Sequence, residues 1–321
     1  MAELWSSYGD GYYGNENLSR KLRLVAARKT KLLEAAEPST EFNIGKKSGD
    51  KVAYRLVGEI STLATTPLNE LQKIPMDTPP IYEGYAQIYR RGLGIPWTGV
   101  LEDLDRLGIE DQNIQVLQRH ASKTHNSVIY SALVSGRSFT YVATGADTDA
   151  FLATGSVAAT AAAGFSLRHA QKLAYYADSY NIPPADGENY LFYCSPKIKY
   201  GLLRDGDAAG FVPTAKYANG GAEGIINGEI GMVAGMRVIV DNHIIADSIG
   251  SGSAYGSGFV LGADALKEVM GPYPLHLRAN MNLGGDFGFQ KAICWVSHQG
   301  YKVPWNYTAH GQGTVIHYTS A

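Results

Sequence analysis

Cysteine is nearly absent from this sequence of 321 residues, and neither sign of charge dominates it. The two cysteines, Cys194 and Cys294, lie far apart inside strand-like runs, so we expect two buried thiols and not a disulfide framework. The formal net charge is only −2, which argues against a protein whose main task is to coat nucleic acid.

Targeting and membrane-spanning segments are also missing from the sequence. The first residues, MAELWSSYGDGYYGNEN, contain neither the basic region nor the apolar region of a signal peptide. The most apolar span, residues 151–165, is rich in Ala, Thr and Gly and shorter than the about 20 apolar residues that a transmembrane helix needs. We therefore expect a cytosolic protein that has no membrane partner.

No motif of a known catalytic or cofactor site is present. Gly45-Lys46 is the only Gly-Lys pair and lacks the spacing of a P-loop, and neither a G-x-S-x-G elbow nor an H-E-x-x-H motif occurs. The glycine-rich run GSGSAYGSG, residues 250–258, has the wrong spacing for a dinucleotide site, and we interpret it as a loop. We expect no cofactor.

The histidines and carboxylates do not suggest a metal or catalytic site either. His120 and His125 share a predicted helix but lie about 140° apart around it, so we expect both at the surface. Glu102, Asp103 and Asp105 fit an acid–base role, but acids in a first helical turn are also expected from the helix dipole alone. We predict no catalytic residues and no metal ligands, while residues that meet only in space keep an enzyme open as an alternative.

The residues that are present indicate a large α+β protein. Hydrophobic residues make up 45% of the chain, and 37 glycines and 21 tyrosines are typical of many turns, strands and contact surfaces. Helical spacing and caps predict helices over residues 99–107, 111–134, 167–182, 196–204 and 263–270. Apolar runs and alternation predict strands over residues 52–57, 85–89, 190–194, 230–240, 275–279, 290–297 and 313–318.

Residues 1–44 are predicted to form an arm. From residue 16 to residue 36, apolar residues recur near helical spacing with basic residues between them. The basic residues that we single out as contacts are Arg20, Lys21, Arg23, Arg28 and Lys29. They fit either a solvated helix docked on the body or an arm that touches a partner or nucleic acid.

The stretch from residue 49 to residue 96 poses a packing problem. Strand patterns open and close it, but the residues between them have no helical spacing and contain four prolines. Its apolar residues are Leu63, Leu68, Leu71 and Ile74. Long structureless loops are uncommon in compact domains unless they are functional, so we expect another element to cover these side chains.

The order of these pieces resembles the major capsid protein of tailed bacteriophages, whose shell fold is known as the Johnson fold. FSLRHAQKLAYYADSYNIPP…ENYLFYCSPKIKYGLLRD is similar to the family's succession of helix, strand and Pro-capped helix. EIGMVAGMRVIVDNHI is similar to its recurrent Gly-x-x-x-Gly-x-x-Val strand entry. GFVLGADALKEVM…GDFGFQKAICWVSHQGYKV is similar to its closing strands, and the resemblance extends from about residue 16 to residue 321.

The resemblance implies an α+β phage capsid (Johnson) fold with five parts. They are an N-terminal arm (1–44), an extended β-loop (45–97), a peripheral domain with a spine helix (98–139), a mixed axial domain (140–255), and peripheral-domain strands to the C-terminus (256–321). Leu63, Leu68, Leu71 and Ile74 of the extended loop would then contact a neighbouring subunit. No long fused scaffolding domain is expected.

The implied function is that of a major capsid protein, not an enzyme. Hexamers and pentamers of the chain would form the icosahedral head that encloses viral DNA, which they would touch by non-specific contact. Scaffolding, portal and decoration proteins are possible further partners, and assembly in the host cytoplasm would place the chain in the virion capsid. Deletion of residues 1–36 is expected to block correct particles while the subunit stays folded.

Two alternatives from other classes remain at this point. A protein compartment of the same fold would enclose cargo enzymes and would contain a docking groove and no DNA. A soluble metabolic enzyme with a non-motif active site would form a small, discrete oligomer and would bind a small molecule.

Overall fold

The computed structural model describes the greater part of the chain. The described residues are 31–38, 51–60, 67–68, 73–104, 108–145, 148–152, 163–204, 212–213, 229–244, 256–271, 276–280, 289–306 and 313–320.

These residues form helices and strands in the mixed order that the sequence predicts. The helices are a 3₁₀ turn at Leu32–Ala35 and α1 (Gly99–Leu104), α2 (Ile109–Gly136), α3 (Leu167–Ser179) and α4 (Pro196–Arg204). The strands before α3 are β1 (Glu37–Pro38), β2 (Lys51–Val57), β3 (Ile81–Gln87), β4 (Tyr89–Thr98), β5 (Phe139–Ala143) and β6 (Asp149–Leu152). The later strands are β7 (Tyr190–Cys194), β8 (Val212–Pro213), β9 (Glu229–Val233), β10 (Met236–Val240), β11 (Gly256–Leu261), β12 (Lys267–Met270), β13 (His276–Asn280), β14 (Gln290–Lys302) and β15 (Val315–Ser320).

The strands assemble into two sheets and a separate hairpin. The larger sheet has eight strands in the order β6-β5-β15-β11-β7-β10-β9-β8. The smaller sheet is centred on the long strand β14, which pairs with β12 and β13 on one side and with β4 on the other, while β1 pairs with β12. Strands β2 and β3 pair only with each other among the described strands.

Alternating side chains place the larger sheet between two helical layers. On β7, Phe192 and Cys194 face a core with α3 and α4, whereas Tyr193 faces a second core with the end of α2. The same alternation holds on β11, where Val260 faces the first core and Phe259 the second. A strand buried on both faces reads as a continuous apolar run, which is why YLFYC lacks an alternating pattern.

The long helix α2 joins the two sheets. Its first half, through Leu117 and Ala121, packs on the tryptophans of the smaller sheet, Trp97 and Trp295. Its second half, through Ile129 and Leu133, packs on the larger sheet. These apolar residues are separated by four or eight residues, and this confirms the helix and the narrow buried stripe that the sequence predicts.

Local signals placed the other long helices correctly. Ser166 caps α3 because its Oγ accepts a hydrogen bond from the His169 backbone N–H at 3.4 Å, while the Ser166 N–H donates to His169 Nδ1 at 3.1 Å. Pro196 stands at the first position of α4, where its missing N–H costs nothing.

Two of the predicted elements differ in the structure. The helix expected over residues 263–270 is a turn followed by strand β12, because Asp264 takes a left-handed φ of 56° and Lys267–Met270 pairs with β14. The loop expected at 250–258 ends earlier than predicted, since Gly256 already lies in β11. A Cβ at Gly258 would lie 2.8 Å from the Phe192 ring, so glycine allows α4 and β7 to pack closely on this strand.

The expected division at residues 255/256 runs through the larger sheet. Strand β11 pairs with β7 on one side and with β15 on the other. Both β11 and β15 belong by their hydrogen bonds to the sheet of the 140–255 part, while β12, β13 and β14 belong to the smaller sheet.

Candidate interaction surface

The β2–β3 hairpin is the element that projects from the two sheets. Its register runs from Lys51 opposite Gln87 at the base to Val57 opposite Ile81 at the far end. Among the described residues its base packs on the body through a small cluster in which Val52 and Ala86 contact Val269.

Close backbone contacts fix the position of this base. A Cβ at Gly300 would collide with the backbone carbonyl oxygen of Gln87. A Cβ at Gly84 would lie 2.8 Å from the carbonyl oxygen of Pro304. Both glycines therefore let the hairpin cross the body at a distance that no side chain would permit.

Large apolar side chains are exposed along the hairpin and the strand that follows it. Ile74 is 74% exposed and Met76 is 98% exposed, although neither side chain is polar. The exposed set in this part of the chain is Val57, Ile60, Leu68, Ile74, Met76, Ile81, Tyr85, Tyr89 and Leu93. Apolar side chains left exposed in this way mark a candidate interaction site in a protein that does not aggregate.

Two of the four predicted contact residues of the loop are among the described residues. Leu68 and Ile74 are exposed, as a contact surface requires. Leu63 and Leu71 lie outside the described residues. The sequence missed four further residues of this surface. Met76 and Ile81 lie in the stretch that was interpreted as structureless, and Tyr85 and Tyr89 were interpreted only as strand.

The polar face of the hairpin holds its register more than it adds stability. Arg55 Nε donates to Glu83 Oε1 at 3.1 Å across the strand pair, and the Tyr85 hydroxyl donates to Glu83 Oε2 at 2.8 Å. The Tyr85 hydrogen bond and then Arg55 lower the pKa of Glu83 below its usual value. Because all three side chains are solvated, such a pair contributes little to stability.

A groove lies where the hairpin base meets the end of α2. Its volume is about 490 Å³. The lining residues are Lys51, Tyr85, Gln87, Tyr89, Ala132, Ser135, Tyr301 and Lys302. The rim is therefore cationic and phenolic, which favours an anionic binding partner.

The segment that enters the body at Lys31 is anchored by a buried carboxylate. Asp241 Oδ2 accepts the backbone N–H of Lys31 at 2.5 Å and of Leu32 at 2.8 Å, and it also accepts Asn126 Nδ2 at 3.2 Å. Leu32 is fully buried beside Ile129 of α2. Residues 31–38 thus belong to the folded body, and this argues against the expectation that deletion of residues 1–36 leaves the fold intact.

The predicted contacts of the arm come from its basic residues. Arg20, Lys21, Arg23, Arg28 and Lys29 lie outside the described residues. Their proposed role depends on the sequence alone.

One of the two histidines of α2 lies at the surface, as the sequence predicts, and the other does not. His120 is exposed, but His125 is buried against Trp295 and Tyr301, with ring centroids 5.7 and 6.0 Å away. Burial, with a smaller contribution from Arg91, lowers the pKa of His125 to about 4. The expectation that His125 lies at the surface is wrong.

Of the carboxylates in and beside α1, Glu102 is hydrogen-bonded within the protein and Asp103 faces solvent. Glu102 Oε2 accepts Trp97 Nε1 at 2.9 Å and Lys291 Nζ at 2.9 Å, and these two hydrogen bonds lower its pKa. Asp103 is exposed, and Asp105 lies outside the described residues. Glu102 therefore ties α1 to β14 as an ionised acceptor, which is a structural role.

A second buried carboxylate, which the sequence did not indicate, connects edge strand β6 to α3 and β15. Asp149 Oδ1 accepts the Tyr318 hydroxyl at 2.8 Å and lies 3.2 Å from His169 Nε2. Burial lowers the pKa of His169, while the charge of Asp149 opposes that shift. His169 Nδ1 accepts the Ser166 N–H of the α3 cap and also lies 2.9 Å from Ser166 Oγ, so the cluster joins β6, α3 and β15.

The Cys194 thiol is not a reactive group of a site. Cys194 is buried in the larger sheet, and burial raises its thiol pKa far above the usual value. Cys294 is only partly buried, so the expectation of two buried thiols holds for Cys194 alone. Among the described residues no cluster of side chains has the composition of a metal site, and no helix is long and apolar enough to cross a membrane.

Comparisons with known proteins agree on one type of protein. A family model described as phage capsid protein matches residues 82–303, which is more than half of the chain. No curated protein sequence matches the chain.

Solved structures share the fold over nearly the whole chain. The capsid of Ralstonia phage GP4 is 14% identical and has a TM-score of 0.68, with 99% of this chain and 98% of that chain covered. The capsid structure of the cyanophage P-SCSP1u is 14% identical and has a TM-score of 0.65, with coverages of 96% and 93%. The cyanophage Pam1 capsid asymmetric unit is 12% identical and has a TM-score of 0.66, with coverages of 99% and 98%.

Proposed function

Since this chain belongs to the phage capsid protein family and forms the shell of a phage head, we propose that its extended hairpin is the clamp that joins neighbouring subunits. The observation that carries this proposal is the exposed apolar surface around Ile74, Met76 and Ile81. These side chains have no apolar cluster of their own among the described residues, and only the hairpin base is packed.

The energetic argument favours a second copy as the cover. Apolar area removed from water contributes about 25 cal/mol per Å², before the cost of association is subtracted. The hairpin tip and the body of the subunit are different surfaces, so a tip-to-body contact is heterologous. Heterologous contacts close into rings, which is the geometry that capsomers require.

The finer features of the shell follow as part of the same proposal. Hexamers and pentamers form an icosahedral head around packaged DNA, and assembly takes place in the host cytoplasm. The chain's role is structural and not catalytic. Scaffolding, portal and decoration proteins are further partners, and DNA is touched without sequence preference.

The contact residues and the division of the chain also remain proposals. Leu63, Leu68, Leu71 and Ile74 supply loop contacts, and the basic residues of the 1–44 arm contact neighbours or scaffolding protein. The parts are the arm (1–44), extended loop (45–97), spine-helix region (98–139), axial part (140–255) and closing part (256–321). The hydrogen bonding of β11 and β15 favours counting both strands with the axial part.

Replacing Ile74 and Met76 with glutamate tests the clamp. Both side chains are exposed, so the double variant is expected to keep the wild-type melting temperature. Shell yield is expected to fall about tenfold or more, since losing about 1.4 kcal/mol of contact energy already costs a factor of ten. Sedimentation velocity and negative-stain electron microscopy of the full chain measure the yield.

Leu203→Glu is the matched control, because Leu203 is also an exposed apolar residue but lies on α4. It is expected to assemble like the wild type. Wild-type shell yield from the Ile74→Glu/Met76→Glu variant would overturn the clamp. A wild-type chain that forms only dimers or tetramers even with co-expressed phage scaffold would overturn the shell function.

A further inference from the structure

We propose that the groove at the hairpin base receives the acidic beginning of α2 and the neighbouring α1 from a second copy of the chain, in a head-to-tail contact. The inference rests on the proposed shell function and names the surfaces that a second contact in the ring would use. It concerns the base of the hairpin and not the apolar tip that the clamp uses.

The groove carries two positive charges that no carboxylate of the described residues neutralises. Lys51 projects from β2 and Lys302 stands at the end of β14, and both side chains are exposed. Neither ammonium has a carboxylate within ion-pair distance among the described residues. The phenol rings of Tyr85 and Tyr89, which are about half exposed, complete the wall with flat surfaces on which a partner can pack.

The opposite end of α2 carries the matching negative charge. Glu110 and Asp111 occupy its first turn, and Asp103 projects from α1 just before it. In the described part of the chain none of these three carboxylates has a lysine or arginine partner. Glu102 is excluded from this set because Lys291 and Trp97 already hold it.

The two surfaces cannot meet within one subunit. Glu110 and Ser135 are at opposite ends of a continuous helix, so about 38 Å separates them at 1.5 Å per residue. If two copies met through the same end of α2, like charges would face each other. Head-to-tail packing instead brings the cationic end of one copy to the acidic end of the next. The charge pattern therefore favours a heterologous contact that can close a ring.

Other acidic parts of the chain are competing occupants of the groove. Residues 1–17 contain Glu3, Asp10 and Glu16 and no lysine or arginine. The hairpin itself carries exposed Glu59 and Asp77. The helix end is favoured because its carboxylates are held on packed helices, so that binding costs little ordering entropy.

Zero-length carbodiimide coupling of assembled shells tests the contact directly. Shells are formed from full-length subunits mixed before assembly, one half of them labelled with heavy isotopes, and the coupled peptides are identified by mass spectrometry. The expected products join Lys51 or Lys302 to Asp103, Glu110 or Asp111 and include mixed-isotope pairs, which arise only between subunits. The Lys291–Glu102 pair, 2.9 Å apart in one subunit, is the internal positive control.

The possible outcomes separate this inference from the shell function. Links from Lys51 or Lys302 to Glu3, Asp10, Glu16, Glu59 or Asp77 would overturn the helix end as the occupant. Shells that yield the Lys291–Glu102 link but no link from either groove lysine would overturn the groove contact and leave the shell function standing. Failure of the wild-type chain to form shells would refute the proposed function itself.

Charge reversal provides a second readout. The Lys51→Glu/Lys302→Glu variant is expected to lose about tenfold or more in shell yield, and adding Asp103→Lys/Glu110→Lys/Asp111→Lys is expected to restore most of it. Lys123→Glu/Lys199→Glu makes the same change in net charge away from the groove and is expected to assemble normally. Wild-type yield from the groove variant would contradict the proposal.

Discussion

Three histidines are buried in the folded chain. His125 lies between Trp295 and Tyr301, His169 takes part in the α3 cap, and His317 stacks on Phe259 with ring centroids 4.6 Å apart. A signal for one of them was present in the sequence. His125 lies four residues after Ala121 and four before Ile129, so it belongs to the buried stripe despite its residue type.

The burial of His125 and His317 predicts loss of stability in acid. Burial lowers the pKa of His125 to about 4 and that of His317 to about 3, from an ordinary value of 6.5. The unfolded chain therefore binds more protons than the folded chain below pH 6.5, and the free energy of unfolding falls as the pH drops through this window. The contribution of His125 is fully present above pH 6.5 and amounts to at most about 3 kcal/mol.

Urea unfolding of the unassembled subunit at neutral pH and at about pH 4.5 checks this prediction. The wild type is expected to lose stability between the two, whereas His125→Gln is expected to lose clearly less, because its amide does not titrate. His120→Gln controls for replacing an exposed histidine of the same helix and keeps the wild-type loss. An unchanged acid loss in His125→Gln would show that this residue is not the source.

At the scale of elements, local signals and long-range pairing explain what the sequence predicted and what it did not. The helices α2, α3 and α4 and the strand β7 were correct because their caps and periodicity lie within the segment itself. Strand β12 was missed because ALKEVM is a good helical sequence, and only its pairing with β14 makes it a strand. The hairpin was foreseen as an extended loop, but its exact exposed face required the register from Lys51 to Val57.

The crossing of the hairpin base over β14 depends on Gly300. A Cβ at this position would collide with the Gln87 carbonyl oxygen, which belongs to the backbone and cannot rotate away. Gly300→Ala is therefore expected to lower the free energy of unfolding by about 1–3 kcal/mol and to lower the shell yield. The two quantities are measured by urea unfolding and by sedimentation velocity.

The matched control for this substitution is Gly164→Ala. Gly164 is exposed, and a Cβ there meets nothing within 4 Å. Its stability is expected to stay within about 1 kcal/mol of the wild type or to rise slightly, because alanine restricts the unfolded chain. A Gly300→Ala variant as stable as Gly164→Ala would refute the close crossing.

For the whole molecule, α2 and the buried Asp241 connect parts that are distant in sequence. Helix α2 packs on both sheets, and Asp241 at the end of β10 binds both the 31–38 segment and Asn126 of α2. The general order of arm, loop, spine helix and closing strands could be read from the sequence. The point at which the arm becomes body could not, because a polar residue more than 200 positions later fixes it.

This anchor predicts that two N-terminal truncations differ sharply. A chain that begins at Thr30 lacks every basic residue proposed as an arm contact, but it keeps the Lys31 and Leu32 N–H groups that Asp241 accepts. It is expected to unfold with wild-type free energy while failing to form correct shells.

Removal of residues 1–36 also deletes buried Leu32 and leaves the Asp241 carboxylate short of hydrogen-bond donors. The free energy of unfolding is therefore expected to fall by about 3–5 kcal/mol. Urea unfolding and negative-stain microscopy of both chains check the two expectations. Normal shells from the first truncation would remove the arm's role in assembly, and wild-type stability of the second would refute the anchor.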